Sequence, residues 1–301
     1  MRFDGVLFFP VTAFDRAGRV DTAVLKDHVQ SRLGHSPGGL FPACGTGEFH
    51  TLSVAEVSAV VSTTVQATGG AAPVLSGAGG PLGHALECAR AAADAGADGL
   101  LVLPPYLVNA PVDGLVAYVE AIAAATDLPL VVYHRANAKF TASAMSRLAR
   151  DPQVIGFKDG VGDIGETQRI VLAVRATGRT DFQFFNGLLT AELTQAAFRG
   201  IGVPLYSSAV FAMAPEIATA FYRAYMDGNE ERRTDLLTGF YEPLVALRDR
   251  VPGYAVSLIK AGVRQSGLDV GSVRPPLVDP TPADLATLAE ILAHGHRLAS
   301  A

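Results

Sequence analysis

Short apolar runs alternate along the chain with longer stretches whose apolar positions recur at helical spacing. The short runs, rich in Val, Ile, Leu and Phe, predict strands near Gly5–Phe9, Gly38–Ala43, Pro73–Ser76, Gly99–Leu103, Pro129–Tyr133, Val154–Lys158, Phe182–Phe185 and Val203–Tyr206. They are apolar on both faces, as strands buried in a parallel sheet are. The longer stretches predict helices near Asp21–Leu33, Val54–Thr68, Pro81–Ala95, Pro111–Ala125, Ala142–Ala149, Gly165–Ala176, Thr190–Phe198 and Pro215–Tyr225. Eight strand–helix units at intervals of roughly 25–35 residues predict the α/β class, and a closed (β/α)8 TIM barrel fits them better than an open sheet. Helix-start signals agree. Ser53 before Val54-Ala55-Glu56 is a capping box, and Pro81, Pro111 and Thr141 stand where helices should begin.

From about Asn229 the strand signals stop. Three further helices are predicted near Asn229–Arg248, Tyr254–Ser266 and Pro282–Leu298. The Pro/Gly/Val-rich segment Gly267–Pro280 reads as a linker or an ordered cover. The expected organisation is a barrel over residues 1–228 with a C-terminal helical region, 229–301, packed on it.

Composition narrows the partners. Of 301 residues, 49% are hydrophobic and 18% charged, enough for a large core and too few charges for a disordered chain. The net charge is −5 with no basic run, which argues against nucleic acid or an anionic membrane as a partner. Cys44 and Cys88 are too few for a disulfide framework or a four-ligand zinc site. Gly, Pro or charge interrupts every apolar stretch well short of the about 18 residues of a membrane helix. Met1–Gly5 carries an acid and leads into the first strand, unlike a signal peptide. The expected location is the cytoplasm.

One residue breaks the apolar pattern. Lys158 sits inside Val154-Ile155-Gly156-Phe157-Lys158-Asp159-Gly160. Strand cores rarely take a lysine, because burying an ammonium without a partner is costly. If buried, its pKa falls and its amine becomes a nucleophile. The same local sequence also fits an exposed lysine just past the strand end, holding Asp159 or Asp163. Barrel geometry favours the first reading, because residues ending the strands converge on one face. Those exits are Cys44-Gly45-Thr46-Gly47-Glu48, Pro104-Pro105-Tyr106, Tyr133-His134-Arg135-Ala136-Asn137, Lys158-Asp159-Gly160, Asn186-Gly187 and Tyr206-Ser207-Ser208.

Each exit carries a chemical and a structural option. Gly45-Thr46-Gly47 fits a backbone N–H cradle for an anion, or an ordinary turn; its spacing matches neither a P-loop nor a dinucleotide fingerprint. Glu48 is assigned a structural role. Tyr133 fits a proton relay, or rim packing with its hydroxyl outward. Arg135 and Asn137 fit contacts to a carboxylate and a hydroxyl, or loop chemistry. Ser207 and Ser208 fit hydrogen bonds to a polar substrate, or a turn. Cys44 has no base beside it and reads as a small buried side chain. Of the seven histidines only His134 lies at a strand exit, and no carboxylate–His cluster points to a metal.

Taken together these residues resemble the dihydrodipicolinate synthase / N-acetylneuraminate lyase superfamily, whose members are Schiff-base lyases of α-keto acids. The likeness rests on Phe41–Phe49, Tyr133–Ala138, Gly156–Asp163, Tyr206–Phe211, Pro252–Gly262 and Val273–Leu277, and so covers essentially the whole chain. Within the superfamily the segments are most similar to the decarboxylating dehydratases of 5-dehydro-4-deoxy-D-glucarate. That resemblance implies an imine between Lys158 and the C5 ketone, with Tyr133 as proton relay. It implies that Gly45 and Thr46 hold the keto-acid carboxylate, and that Asn137, Ser207, Ser208 and the backbone near Gly187 contact the hydroxylated end. It implies a small-molecule keto sugar-acid substrate, no cofactor or metal, and a homodimer or homotetramer. The runner-up activity is class I retro-aldol cleavage of a 2-keto-3-deoxy sugar acid. Leu107 and Ala138 stand where the synthase branch has a tyrosine and an arginine, which separates the chain from that branch. His134 and Ala212 stand where the dehydratases more often carry asparagine.

Overall fold

A computed structural model describes residues 1–300. Its eight strands are β1 (Leu7–Phe8), β2 (Gly39–Leu40), β3 (Leu75–Ala78), β4 (Gly99–Val102), β5 (Leu130–His134), β6 (Val154–Asp159), β7 (Gln183–Asn186) and β8 (Leu205–Ser208). They pair in the order β2-β1-β8-β7-β6-β5-β4-β3, every ladder parallel. A parallel bridge from Leu40 to Val74, with Leu40 N donating to Pro73 O at 2.8 Å, links the two ends and closes the barrel. At this seam a Cβ on Gly77 would collide with the Ala43 carbonyl oxygen, so only glycine lets the two backbones meet. β1 and β2 are shorter than their apolar runs predict. Pro10 and Pro42 follow them and carry no N–H to extend a ladder.

The crossover helices are α1 (Thr22–Leu33), α2 (Val54–Thr68), α3 (Leu82–Asp94), α4 (Val112–Ala123), α5 (Ala142–Leu148), α6 (Ile164–Arg175) and α7 (Gln195–Gly200). The side chains of Asp21, Ser53, Thr141 and Asp163 cap α1, α2, α5 and α6, and Ser53 with Glu56 completes the expected capping box. The helix predicted from Thr190 is instead a 3-10 turn, Ala191–Leu193, followed by α7. Thr190 takes a φ of 51°, which sets that turn apart from β7. A short helix the pattern does not predict, α8 (Val210–Met213), precedes α9 (Pro215–Asp227).

The stretch predicted as one helix from Asn229 to Arg248 is three pieces. α10 (Glu230–Leu236) runs into a π-helical turn, Leu237–Tyr241, and then α11 (Glu242–Arg248). Pro243 explains the break, since it returns no N–H to the carbonyl four residues back. α12 (Tyr254–Gln265) and α13 (Pro282–Ser300) complete the chain. These helices share one hydrophobic cluster with the barrel; Phe221 on α9 meets Tyr241 edge-on at 5.3 Å.

Two polar anchors join the same parts. Lys260 Nζ on α12 donates to Glu48 Oε1 at 2.7 Å, both side chains fully buried. Arg274 donates through its backbone to Glu48 Oε2, and through its guanidinium to Gly18 O, Thr51 O and Glu56. Gly267–Pro280 is therefore an ordered cover rather than a loose linker. Glu48 has the structural role expected of it. No helix among the described residues is long and apolar enough to cross a membrane.

Candidate active site

β5 and β6 place Tyr133 opposite Lys158, and β7 places Phe185 on the other side of the lysine. Lys158 is only 4% exposed, its Nζ 3.9 Å from the Tyr133 ring centroid and 5.1 Å from that of Phe9. Among the described residues no carboxylate lies within ion-pair distance of it. The exposed, paired alternative for Lys158 does not hold. Asp159 instead accepts from Val161 N, Gly162 N and Thr167 Oγ1, and Asp163 caps α6. Burial, the largest influence, lowers the lysine pKa; Tyr133 opposes it and Arg135 adds to it. The outcome is an amine that gives up its proton more readily than an exposed lysine.

Gly187 makes the space for that amine. A Cβ there would sit 2.5 Å from Lys158 Nζ and 2.9 Å from Asp159 O. The Gly187 carbonyl accepts the Tyr133 hydroxyl at 3.0 Å, and Arg135 Nη1 donates to the same hydroxyl at 2.7 Å. Burial resists ionisation of Tyr133, but the charges of Lys158 and Arg135 outweigh it and pull the phenol below its ordinary value. Lysine, tyrosine and arginine thus form one electrostatically coupled group.

This group borders a cavity of about 890 Å³ at the strand-exit face of the barrel. Gly45 and Thr46 border it across from β6, and their N–H groups donate to no acceptor among the described residues. Positive φ at Ala43 and Glu48 turns this loop, and Thr12 Oγ1 holds it through Gly47 O at 2.7 Å. Two free N–H groups on a fixed loop suit a carboxylate. Cys44 is fully buried, and burial pushes its thiol up to about 12 although Lys158 pulls the other way. It is not a nucleophile.

Ser207 borders the cavity, whereas Ser208 does not. Neighbouring residues of a strand face opposite ways, and the Ser208 hydroxyl donates instead to Glu192 Oε1 at 2.5 Å. Ser208 is therefore corrected from a substrate contact to a support for Glu192. Asn137 is corrected likewise. Its Nδ2 donates to Pro105 O at 3.1 Å and Val108 O at 2.6 Å, so it pins the loop after β4 and stays off the cavity wall. His134, with Nδ1 accepting from Phe140 N, and buried Ala212 are also away from the wall. The departures at those two positions leave the cavity lining untouched.

Sequence reasoning missed several wall residues. Glu192 comes from the 3-10 turn after β7, Arg248 from the end of α11, and Tyr254, Leu258 and Ile259 from α12. Nothing local marks them, since they reach the cavity only through packing of the C-terminal helices on the barrel. Among the described residues no group of three His, Cys, Asp or Glu side chains could hold a metal ion.

Comparison with known proteins identifies the family of the chain. Residues 2–294 match the family model described as the dihydrodipicolinate synthetase family. A Streptomyces griseus subsp. griseus protein named "Probable 5-dehydro-4-deoxyglucarate dehydratase" is 55% identical over 98% of this chain and 92% of its own length. A Rhizobium rhizogenes protein of the same name is 44% identical over 96% of this chain and 94% of its own length. The crystal structure of dihydrodipicolinate synthase from Oceanobacillus iheyensis superposes with a TM-score of 0.88 at 26% identity, covering 98% of this chain and 97% of that one.

Proposed function

The chain belongs to the dihydrodipicolinate synthetase family and is a lyase, and on that footing we propose that it dehydrates and decarboxylates 5-dehydro-4-deoxy-D-glucarate through an imine on Lys158. The observation that carries this is a buried, unpaired lysine amine packed on a tyrosine whose hydroxyl is held by Arg135 and Gly187. The names of the similar proteins supply the substrate.

The steps follow from the groups present. The Lys158 amine adds to the C5 ketone, and Tyr133 carries protons to and from the carbinolamine as water leaves. The carboxylate next to the ketone rests on the N–H groups of Gly45 and Thr46. Positive charge on the imine nitrogen acidifies C4. Loss of the C4 proton gives an enamine, which expels the C3 hydroxyl and forms a conjugated iminium. That iminium accepts the electron pair of the C1–C2 bond as CO2 departs. Protonation and hydrolysis then release 2,5-dioxopentanoate and restore the lysine. Ser207 hydrogen-bonds the hydroxylated end of the substrate. The enzyme works as a homodimer or homotetramer in the cytoplasm. Exposed Tyr106, Leu107 and Val108, beside the cavity mouth, support burial against another copy.

Incubation with 5-dehydro-4-deoxyglucarate should release CO2 and 2,5-dioxopentanoate in equal amounts. Pyruvate plus an aldehyde would mean retro-aldol cleavage instead. Borohydride added with substrate should fix an adduct on Lys158, and turnover surviving Lys158→Ala would sink the imine mechanism.

A further inference from the structure

Among the described residues Glu192 is the one carboxyl on the cavity wall, and several groups hold it there. It is 2% exposed. Ser208 Oγ donates to its Oε1 at 2.5 Å, and Tyr241 lies close enough to favour the anion without reaching hydrogen-bond geometry. The hydroxyls of Tyr206 and Tyr241 are buried and have no hydrogen-bond partner. Burial is the main influence on this carboxyl and pushes it up to about 7, with the Ser208 hydroxyl, its own backbone and the Tyr241 hydroxyl pulling the other way. β8, α7 and the π-helical turn pack against its turn, and Arg248 of α11 reaches the same turn by donating to Thr190 Oγ1 at 2.7 Å. The titratable side chains they bring are Tyr206, Arg199 and Tyr241; Arg199 is engaged elsewhere, donating to Tyr225 O and lying over the Tyr225 ring. Among the described residues no cation lies within ion-pair distance of Glu192.

The reaction needs an acid in this cavity. Expulsion of hydroxide from C3 is slow unless the oxygen is protonated as the bond breaks. Tyr133 is committed beside the imine nitrogen, where Arg135 and Lys158 favour its anion. We propose that Glu192 is the general acid that protonates the departing C3 hydroxyl, with Ser208 as its positioning residue. This rests on the dehydratase reading above. In the step, the enamine C4=C5 pair moves to form C3=C4 while nitrogen supplies the new C5=N bond. The C3–O bond breaks with its pair on oxygen, and the Glu192 O–H proton converts that oxygen to water. Glu192 is left as a carboxylate accepting from Ser208. It regains a proton from solvent through the open cavity, matching the one proton that the overall reaction consumes.

The test uses the substrate and its analogue bearing fluorine in place of the C3 hydroxyl. Fluoride leaves without a proton, so the two substrates share every step except the one assigned to Glu192. Glu192→Gln should lower kcat on the hydroxyl substrate by roughly 10²–10⁴-fold, form the Lys158 borohydride adduct normally, and turn over the fluoro analogue within a few-fold of wild type. Equal loss on both substrates, or near-wild-type kcat on the hydroxyl substrate, would overturn the assignment. The wild-type enzyme gives a second readout that needs no variant. Its kcat should fall above about pH 7 on the hydroxyl substrate and not on the fluoro analogue; parallel profiles would again overturn it. Absence of CO2 release by wild type would instead remove the dehydratase reading itself.

Discussion

A buried ammonium without a counter-ion is among the most expensive side-chain states in a protein, and Lys158 meets that cost by losing its proton more easily. An ordinary lysine, with pKa about 10.4, is about 0.04% free amine at pH 7, so each unit of lowering raises the nucleophile population roughly tenfold. This residue was legible in the sequence because it interrupts an apolar strand. Tyr133 was legible by its place at the neighbouring strand end. Tyr133→Phe should lower kcat by roughly 10²–10⁴-fold; a variant keeping a third of the wild-type rate would remove the hydroxyl from the relay. Glu192 was not legible, because its segment reads as helix and the groups that bury it come from β8 and the C-terminal helices. Its raised pKa also has a stability consequence. The folded state keeps this proton longer than the unfolded chain, so its contribution is full below about 4.5 and is lost as pH rises to about 7. The loss by pH 8 is about 3 kcal/mol. Glu192→Gln should therefore gain melting temperature relative to wild type at pH 8 and gain much less at pH 5, as calorimetry at the two pH values would measure.

At the scale of elements, the period of two along a strand decides which polar groups reach the cavity. Ser207 and Ser208 look interchangeable in the sequence, yet one borders the cavity and the other holds Glu192. The register between β6 and β7 is equally decisive, since it sets Gly187 against Lys158. Gly187→Ala would put a methyl group 2.5 Å from Nζ and 2.7 Å from Cγ. The variant should lose stability, because the Asp159 backbone carbonyl 2.9 Å from that Cβ cannot swing aside as the lysine tip can, and it should lose at least tenfold in the rate of borohydride-trapped adduct formation. Adduct formation at the wild-type rate would show that the amine has room to spare. Eight strand–helix units were readable from periodicity, and Ser53 and Thr141 from their place at helix starts, whereas the caps Asp21 and Asp163 were not read as such. The break at the π-helical turn was not, although Pro243 carried its cause in plain view. Apolar positions continue past it on the same face, and periodicity alone therefore runs the helices together.

For the molecule as a whole, the barrel of residues 1–228 and the helical region of 229–301 are proposed to fold as one unit. α12 supplies a cavity wall, and Lys260 sends the buried counter-charge for Glu48. Neither half completes the site alone. Lys260→Met should destabilise the protein by about 3–5 kcal/mol, because it strands a buried carboxylate. Adding Glu48→Gln should recover most of that loss, and a denaturant-melt double-mutant cycle measures the coupling; two simply additive losses would argue against a buried pair. This long-range pairing had no signature in the sequence, where the two residues sit at opposite ends of the chain. The cysteines lead to a practical property. Cys44 and Cys88 are both fully buried, and burial pushes both thiols up to about 12. Thiol-alkylating reagents at neutral pH should pass the native protein by. A single cysteine introduced on an outer helix would then be the one thiol available for a dye or a surface tether, on an enzyme whose own chemistry the label never touches.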